Sequence, residues 1–121
     1  MSDHSERRER GERLFREVTG MEPPAASTPA MEISLLEFAM GDVWSRPGIT
    51  RKERRWIALT SAAASSAPAA TEAHIRAALQ SGDITVDELR EWVLQLTAYI
   101  GWPKSAMLDP TITRIAGELG G

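Results

Sequence analysis

Apolar residues along the chain recur three or four positions apart, and no stretch sustains the alternation that is typical of a β-strand. Leu14, Phe15 and Val18 follow this spacing within a first predicted helix over residues 6–18, which ends at Gly20. The pattern therefore predicts helices from the beginning of the chain.

A second predicted helix follows the loop "MEPPAASTP". Thr28 is typical of a helix N-cap, and Pro29 is typical of the first helical position. The segment "RPG" ends this helix. The expected apolar stripe on this helix is formed by Ile33, Leu36 and Met40. It is broadened by Leu35 and Phe38.

Two segments have the form of a capping box, in which a threonine and a glutamate three positions later satisfy amides at a helix start. They are Thr50-Arg51-Lys52-Glu53 and Thr85-Val86-Asp87-Glu88. The first box begins a third predicted helix, whose continuous run of apolar and small residues over 56–64 is typical of a buried helix. The second box begins a fifth predicted helix.

The fourth predicted helix follows the interruption "SSAPAA". We expect it to begin at Pro68 or Ala69, to extend to Gln80 and to be followed by Gly82. The fifth helix ends at "GWP", residues 101–103. Its predicted buried face comprises Leu89, Val93, Leu96 and Ile100, which lie 0, 4, 7 and 11 residues along the helix from Leu89.

The last segment contains Pro110, which either kinks a long helix or starts a new one capped by Asp109. The chain is thus predicted to be all-α, a single-domain bundle of about six helices over residues 1–121, with residues 1–5 frayed. A chain of 121 residues is expected to form a core of modest size. Assembly with copies of the same chain would help to bury more apolar surface.

Composition narrows the class of protein. With 42% apolar and 26% charged residues the chain resembles a soluble globular protein, and it has no apolar run long enough for a membrane span. A net charge of −3 gives no broad field that attracts nucleic acid. The amino-terminal segment is too polar for a secretory signal, so we expect the protein in the cytoplasm. The absence of cysteine excludes thiol redox chemistry and thiolate metal sites.

His74 is the first candidate for chemistry. Its neighbours one helical turn away are all small: Ala70, Thr71, Ala77 and Ala78. They leave space beside an imidazole that titrates near neutral pH, or they allow close packing against another helix. No second histidine or acidic cluster stands at metal-ligand spacing, so we expect no metal.

The cluster of arginines also has two interpretations. Arg51, Arg54 and Arg55, with Arg46 upstream, form either an anion-binding cluster or a solvated helix start. Glu72 is expected to pair with Arg76 at i,i+4. The polar stripe on the fifth helix, which is typical of a solvated face, comprises Glu88, Glu91 and Gln95.

The order of these motifs resembles the carboxymuconolactone decarboxylase family. The likeness rests on "VWSRPGITRKERRWIAL" followed by "EAHIRAALQSGDITVDELREWVLQLTAYIGWP", and it covers about residues 43–103. The family pattern runs R-P-G-[LI], an arginine-rich helix start, H-x-x-x-A-x-x-x-G, E-[IL]-x-E-x-x-x-Q and Y-x-G-x-P. The departures from it are an alanine- and serine-rich segment before His74 and the residues Trp102, Lys104 and Pro110.

The resemblance implies an all-helical, alkylhydroperoxidase D-like protein that assembles as a homotrimer or homohexamer. It implies decarboxylation of a lactone in the breakdown of aromatic compounds, without a cofactor. A sister branch similar to alkylhydroperoxidase D uses a Cys-x-x-Cys pair and a glutamate, and the corresponding positions here are Ala67, Ala70 and Arg55. Thiol-dependent peroxidase chemistry is therefore not expected.

On this resemblance the substrate is a small anionic cyclic carboxylate, derived from a lactone or an aromatic compound. His74 is the expected general acid or base, and Arg55 is the expected partner that binds carboxylate or carbonyl oxygen, assisted by Arg46 or Arg54. Tyr99 and Trp102 either form an apolar wall of the site or pack in the core.

Several alternatives stay open on the sequence. Lactone opening, isomerisation or another ring reaction would use the same groups. A different class of function, a non-catalytic helical scaffold or binding module, would use the small residues around His74 for subunit packing.

Overall fold

The computed structural model describes residues 3–24 and 28–120, with side chains from Ser5 onwards. This part of the chain is helical and contains no strand, so the predicted all-α class is confirmed. Six helical segments exceed ten residues if α2 and the π-helix that continues it are taken together. The helices are α1 (Asp3–Thr19), α2 (Pro29–Glu32), the π-helix (Ile33–Val43), α3 (Arg51–Ala64), α4 (Pro68–Ser81), α5 (Val86–Ile100), α6 (Trp102–Ser105) and α7 (Leu108–Glu118).

The chain forms two compact units, Met1–Thr50 and Arg51–Gly121. The predicted single domain stays a prediction. Part of the expected frayed end, residues 1–2, lies outside the described residues, as do residues 25–27 of the predicted loop.

The first unit begins with α1, which starts three residues earlier than predicted and ends one residue later. Leu14, Phe15 and Val18 are buried, as their spacing predicts. Gly20 ends the helix in a left-handed conformation (φ 71°), and its N–H donates to the Arg16 carbonyl at 2.9 Å. The start of the next helix is also confirmed, because the Thr28 hydroxyl accepts from the Met31 N–H at 3.4 Å and Pro29 is the first helical residue.

The predicted apolar stripe on the second helix is only partly correct. Leu36 and Met40 are buried, whereas Ile33 is 43% exposed and Phe38 is 58% exposed. The reason is that residues 33–43 form a π-helix, in which each bond spans five residues instead of four. The wider turn moves residues away from the face that α-helical spacing assigns to them.

Two glycines bring the backbones of α1 and the π-helix into direct contact. A Cβ on Gly11 would lie 1.6 Å from the Leu36 carbonyl oxygen, and a Cβ on Gly41 would lie 2.6 Å from the Arg7 carbonyl oxygen. No side chain fits at either place. Glycine is therefore required for this close approach.

Ion pairs add to the packing of the first unit. Arg7 donates to both carboxylate oxygens of Asp42, at 3.1 and 2.8 Å, and Arg10 donates to the Gly41 carbonyl at 2.7 Å. Glu37 is buried, with the Arg7 guanidinium 3.8 Å from its carboxylate. Arginines of α1 thus bind both a carboxylate and a backbone carbonyl near the end of the π-helix.

The second unit begins with α3 at Arg51, as predicted, while the capping box at Thr50 stays a prediction. The helix ends at Ala64, and Ser66, two residues later, has a left-handed backbone (φ 55°). The N–H groups of Ser66 and Ala67 donate to carbonyls three and five residues earlier, which is the pattern of a Schellman motif. Lys104 donates to the Ala64 carbonyl at 2.7 Å and places a positive charge at this helix end.

Helices α4 and α5 are connected by a tight turn. Gly82, with φ 78°, ends α4 as predicted. The capping box of α5 is confirmed: the Thr85 N–H donates to Glu88 at 2.9 Å, and the Glu88 N–H donates to the Thr85 hydroxyl at 3.1 Å. Gly101, with φ 87°, ends α5.

The core of the second unit is formed by apolar side chains. The predicted face of α5 is confirmed, because Leu89, Val93 and Leu96 are buried and Ile100 packs against them. The other helices contribute Leu59, Ala63, Ile75, Ala78, Leu108, Ile112 and Ile115. Leu59, Ile75 and Ile112 are fully buried.

Three local predictions in the second unit are wrong. Residues 56–64 do not form a wholly buried helix, because only Leu59 and Ala63 of this run are buried and Ile57 is 62% exposed. Asp109 does not cap the last helix, because α7 begins at Leu108, which leaves Asp109 and Pro110 in its first turn. Proline is tolerated there since its missing N–H has no helical acceptor. Glu72 does not pair with Arg76; it accepts from Arg114 of α7 instead, because α7 packs against α4.

Candidate active site

His74 lies in the middle of α4 and is half-buried. Of its four small neighbours, Thr71, Ala77 and Ala78 are buried and only Ala70 is exposed. Ala78 belongs to the apolar core of the second unit. Most of these small side chains therefore serve close packing of α4.

The surroundings of His74 favour a neutral ring. Burial lowers the pKa of His74 below its ordinary value, and the positive charge of Arg55 lowers the pKa further. The structure thus brings together the two residues that the sequence singled out for chemistry. A ring with a lowered pKa holds a proton weakly, and it becomes a protonated donor once a bound anion raises its pKa.

Arg55 is held inside the second unit. It is 2% exposed, and its Nε donates to Asp83 Oδ2 at 2.8 Å. Asp83 follows Gly82 in the turn between α4 and α5. A buried guanidinium requires such a partner, since an uncompensated charge in the interior is costly.

Sequence reasoning did not find Asp83. An acidic residue beside a helix-ending glycine is common in turns, and its partner lies 28 positions earlier in the chain. The sequence around Asp83 therefore gave no indication of an ion pair with Arg55.

The other predicted site residues are placed in different surroundings. Arg54 is half-buried on α3, and Arg46 is exposed in the first unit, after the π-helix. Tyr99 is 80% exposed and Trp102 is 72% exposed, at the end of α5 and the start of α6. Neither ring packs in the core of the second unit, and their predicted role beside a substrate stays a prediction.

A cavity of about 510 Å³ lies between the end of α3, the start of α4, α6 and α7. This volume suits a small molecule. Ala67, the position of a thiol in the peroxidase branch, is one of its residues, but His74 is not. Its mainly apolar and small lining residues are Ala63, Ser66, Ala67, Pro68, Thr71, Glu72, Pro103, Lys104, Met107, Leu108 and Thr111.

A more open groove of about 420 Å³ is lined by Trp56 and Trp92 together with the predicted polar stripe of α5, Glu88, Glu91 and Gln95. The two indole rings are 6.4 Å apart, and Trp92 donates to Thr60 at 3.0 Å. The hydrogen bond from Lys52 lowers the pKa of Glu88, which keeps this carboxylate ionised. Two acidic side chains make the groove unsuitable for an anionic substrate.

Within residues 3–24 and 28–120, no three side chains of histidine, aspartate or glutamate converge as a metal site would require. No helix in the same part of the chain is long and apolar enough to span a membrane.

The second unit is thus a helical structure with a half-buried histidine beside a buried arginine, and alanines stand at the positions where a related branch has its thiols. Residues 29–109 match the profile of the carboxymuconolactone decarboxylase family. The chain belongs to this family, which the sequence resemblance had predicted.

Two curated relatives extend the comparison. The chain is 38% identical over 83 residues to a 4-carboxymuconolactone decarboxylase of Acinetobacter baylyi, a match that covers 69% of this chain and 61% of the relative. It is 37% identical over 75 residues to the nitrosuccinic acid decarboxylase npaB of Metarhizium robertsii, covering 62% of this chain and 51% of the relative. The matches thus span between half and two thirds of these relatives' lengths. No solved structure gives a significant match.

Proposed function

We propose that this chain is a cofactor-independent carboxy-lyase that acts on a small anionic carboxylate. The observation that carries the proposal is the half-buried His74 whose neutral form is favoured beside Arg55. The names of both relatives, each a decarboxylase, support the same reaction type. A cyclic substrate, derived from a lactone or an aromatic compound, is the class that the family resemblance favours.

In the proposed reaction, the bond between the carboxylate carbon and its neighbour breaks and carbon dioxide leaves. The electron pair stays on the neighbouring carbon and is delocalised into an adjacent carbonyl group, giving an enolate. Arg55 stabilises this negative charge, and Arg54 holds the substrate by charge-assisted hydrogen bonds. Binding of the anionic substrate raises the pKa of His74, so the ring takes up one proton from solvent. His74 then delivers this proton to the carbon and returns to its neutral form, which completes the balance.

The remaining parts of the proposal rest on the sequence and the resemblance. These parts are the substrate contacts by Arg46, Tyr99 and Trp102, the assembly into a homotrimer or homohexamer, and the cytoplasmic location. Size-exclusion chromatography with light scattering distinguishes monomer, trimer and hexamer directly.

The experiment first needs a substrate. Carboxylated lactones, carboxylated aromatic-ring products and nitro-substituted dicarboxylic acids are screened for thermal stabilisation of the protein, and each hit is tested for release of carbon dioxide. A ligand at 100 times its Kd adds about 2.7 kcal/mol to the stability of the folded state. This gain in stability raises Tm by an amount that is readily measured.

With a substrate in hand, we expect His74→Ala to reduce turnover about 100-fold or more, because proton transfer by a positioned side chain contributes roughly that much. Gln80→Ala, an exposed substitution on the same helix, is the matched control and should keep full turnover. Circular dichroism checks that both variants keep their helix content. A folded His74→Ala protein with full activity removes the histidine from the mechanism.

A non-catalytic scaffold is the second candidate. One observation favours it: Arg55 is already bound to Asp83 within the chain. In that case, the His74 resonances in an NMR spectrum should not respond to any compound of the screen, and no carbon dioxide should be released.

A further inference from the structure

We propose that the cavity between the end of α3, the start of α4, α6 and α7 is a second binding site of this protein. Its ligand is a small molecule with an apolar body and one carboxylate, and Lys104 binds that carboxylate. Neither His74 nor Arg55 is among the lining residues, so the site does not rest on the function proposed above.

The walls of the cavity suit the apolar body of such a ligand. Ala63 and Leu108 belong to the core of the second unit, so the cavity extends down to that core. Pro68, Pro103 and Met107 add further apolar surface. Water finds few hydrogen-bond partners in such surroundings, and an apolar group that displaces it gains free energy. The volume of about 510 Å³ is large enough for two fused aromatic rings.

Helix α6, which contributes Pro103 and Lys104 to the cavity, is held in place by a buried serine. Ser105 is 2% exposed, and its hydroxyl donates to the Gly101 carbonyl at 2.8 Å. The same hydroxyl lies 2.9 Å from the Thr97 hydroxyl of α5. This side of the cavity is therefore formed before a ligand binds.

The hydrogen bonds of the polar lining residues identify the group that binds an anion. Thr71 donates its hydroxyl hydrogen to the Ala67 carbonyl at 2.8 Å, and Thr111 donates to the Met107 carbonyl at 2.6 Å. The remaining side-chain donors of the lining are Ser66 and Lys104. An ammonium group has three N–H bonds, and the bond to the Ala64 carbonyl at 2.7 Å uses one of them.

The charges at the cavity also favour an anion. Glu72 is compensated, because it accepts from Arg114, and these two residues form a balanced set of two acids and two bases with Glu118 and Arg76. The partner of Lys104, in contrast, is the carbonyl at the end of α3. A helix end is equivalent to about half a negative charge, so part of the lysine charge is left for a ligand.

Two probes with the same ring system separate the apolar part of the site from its charge. Naphthoate carries a carboxylate, and naphthylmethanol carries a neutral hydroxyl group at the same position. Binding to the full chain is measured by calorimetry at low ionic strength, because salt screens an exposed lysine. We expect both to bind, and naphthoate to bind more tightly.

The charge is tested by Lys104→Met, which keeps the length of the side chain. The Kd of naphthoate should rise about fivefold, which is the upper range for one exposed ion pair, and that of naphthylmethanol should stay unchanged. Lys104→Arg should retain tight binding of naphthoate. Lys52→Met is the matched control, since Lys52 pairs with Glu88 of α5 and does not line the cavity.

The location is tested by Ala67→Phe, in which the new ring takes up space in the cavity. The Kd of both probes should rise about tenfold or more. The backbone at Ala67 (φ −107°, ψ 84°) accepts a larger residue. Ala70→Phe is the matched control, because Ala70 is exposed and does not line the cavity. An NMR contact between the naphthalene protons and the Met107 methyl group, assigned with Met107→Leu, locates the ligand without any change in the cavity.

The proposal is overturned if neither probe binds to the unsubstituted protein, as would happen if a second copy of the chain covered the cavity. It is also overturned if the bound rings do not contact Met107, or if Lys104→Met weakens naphthoate no more than Lys52→Met does. Equal weakening of both probes by Lys104→Met would remove the carboxylate from the proposal. None of these measurements uses turnover, so a failure of the proposed decarboxylation leaves this site untouched.

Discussion

The two compact units differ in what brings their helices together. In the first unit, α1 and the π-helix meet through backbone atoms at Gly11 and Gly41 as well as through side chains such as Phe15 and Leu36. In the second unit, α3, α4, α5 and α7 meet through apolar side chains such as Leu59 and Ile112. The backbone contact at the two glycines tolerates no added atom. Packing by side chains instead depends on the side-chain atoms that fill the core. The proposed proton donor belongs to the second unit.

The largest expected effect is in the core of the second unit. Leu59→Ala should lower the free energy of unfolding by about 3 kcal/mol, because it removes a fully buried side chain and leaves a cavity. Ile57→Ala on the same helix is the control, since Ile57 is 62% exposed and should cost little. Urea denaturation followed by circular dichroism measures both. Equal losses in the two variants would show that α3 is not packed as described.

A smaller loss is expected from adding a single methyl group to the first unit. Gly11→Ala should cost about 2 kcal/mol, because the new Cβ overlaps the Leu36 carbonyl and the two backbones must separate. The same change at Gly117 of α7 meets no atom within 4 Å. Gly117→Ala should therefore stabilise the protein by about 0.5 kcal/mol, as alanine does in a helix. A Gly11→Ala protein as stable as the Gly117→Ala protein would contradict the backbone contact.

The smallest effect is a pH dependence that comes from the second unit. Since the pKa of His74 is lowered in the folded chain, the unfolded chain binds the proton more tightly. The contribution of the neutral ring is complete above the unfolded pKa of about 6.5 and is lost as pH falls below it toward the folded pKa. His74→Gln lacks this loss. Between pH 7.5 and pH 5 the denaturation midpoint of the unsubstituted protein should therefore fall relative to that of His74→Gln, and parallel curves would contradict the lowered pKa.

The same difference explains which parts of the fold the sequence predicts. Helical spacing identified the buried face of α5, because Leu89, Val93 and Leu96 are packed by their side chains. It misplaced Ile33 and Phe38, because apolar spacing does not reveal a change from α-helical to π-helical bonding. It also gave no sign of the contact at Gly11, where the important feature is a missing side chain.

The candidate site shows a similar limit. His74 and Arg55 were found because their types and their order resemble a family pattern. Asp83 was not found, because ion pairs between residues far apart in the chain follow from the packing of helices and not from local spacing. The expected pair of Glu72 with Arg76 was wrong for the same reason, since α7 offers Arg114 to Glu72.

The burial of Arg55 has a consequence for the conditions under which the imidazole works. Mobile ions weaken the field of an exposed charge, but they have little access to a guanidinium that is 2% exposed. The electrostatic influence on His74 is therefore set by the folded chain and changes little with ionic strength. The proton affinity of the ring then responds to a bound anion far more than to the salt content of its surroundings.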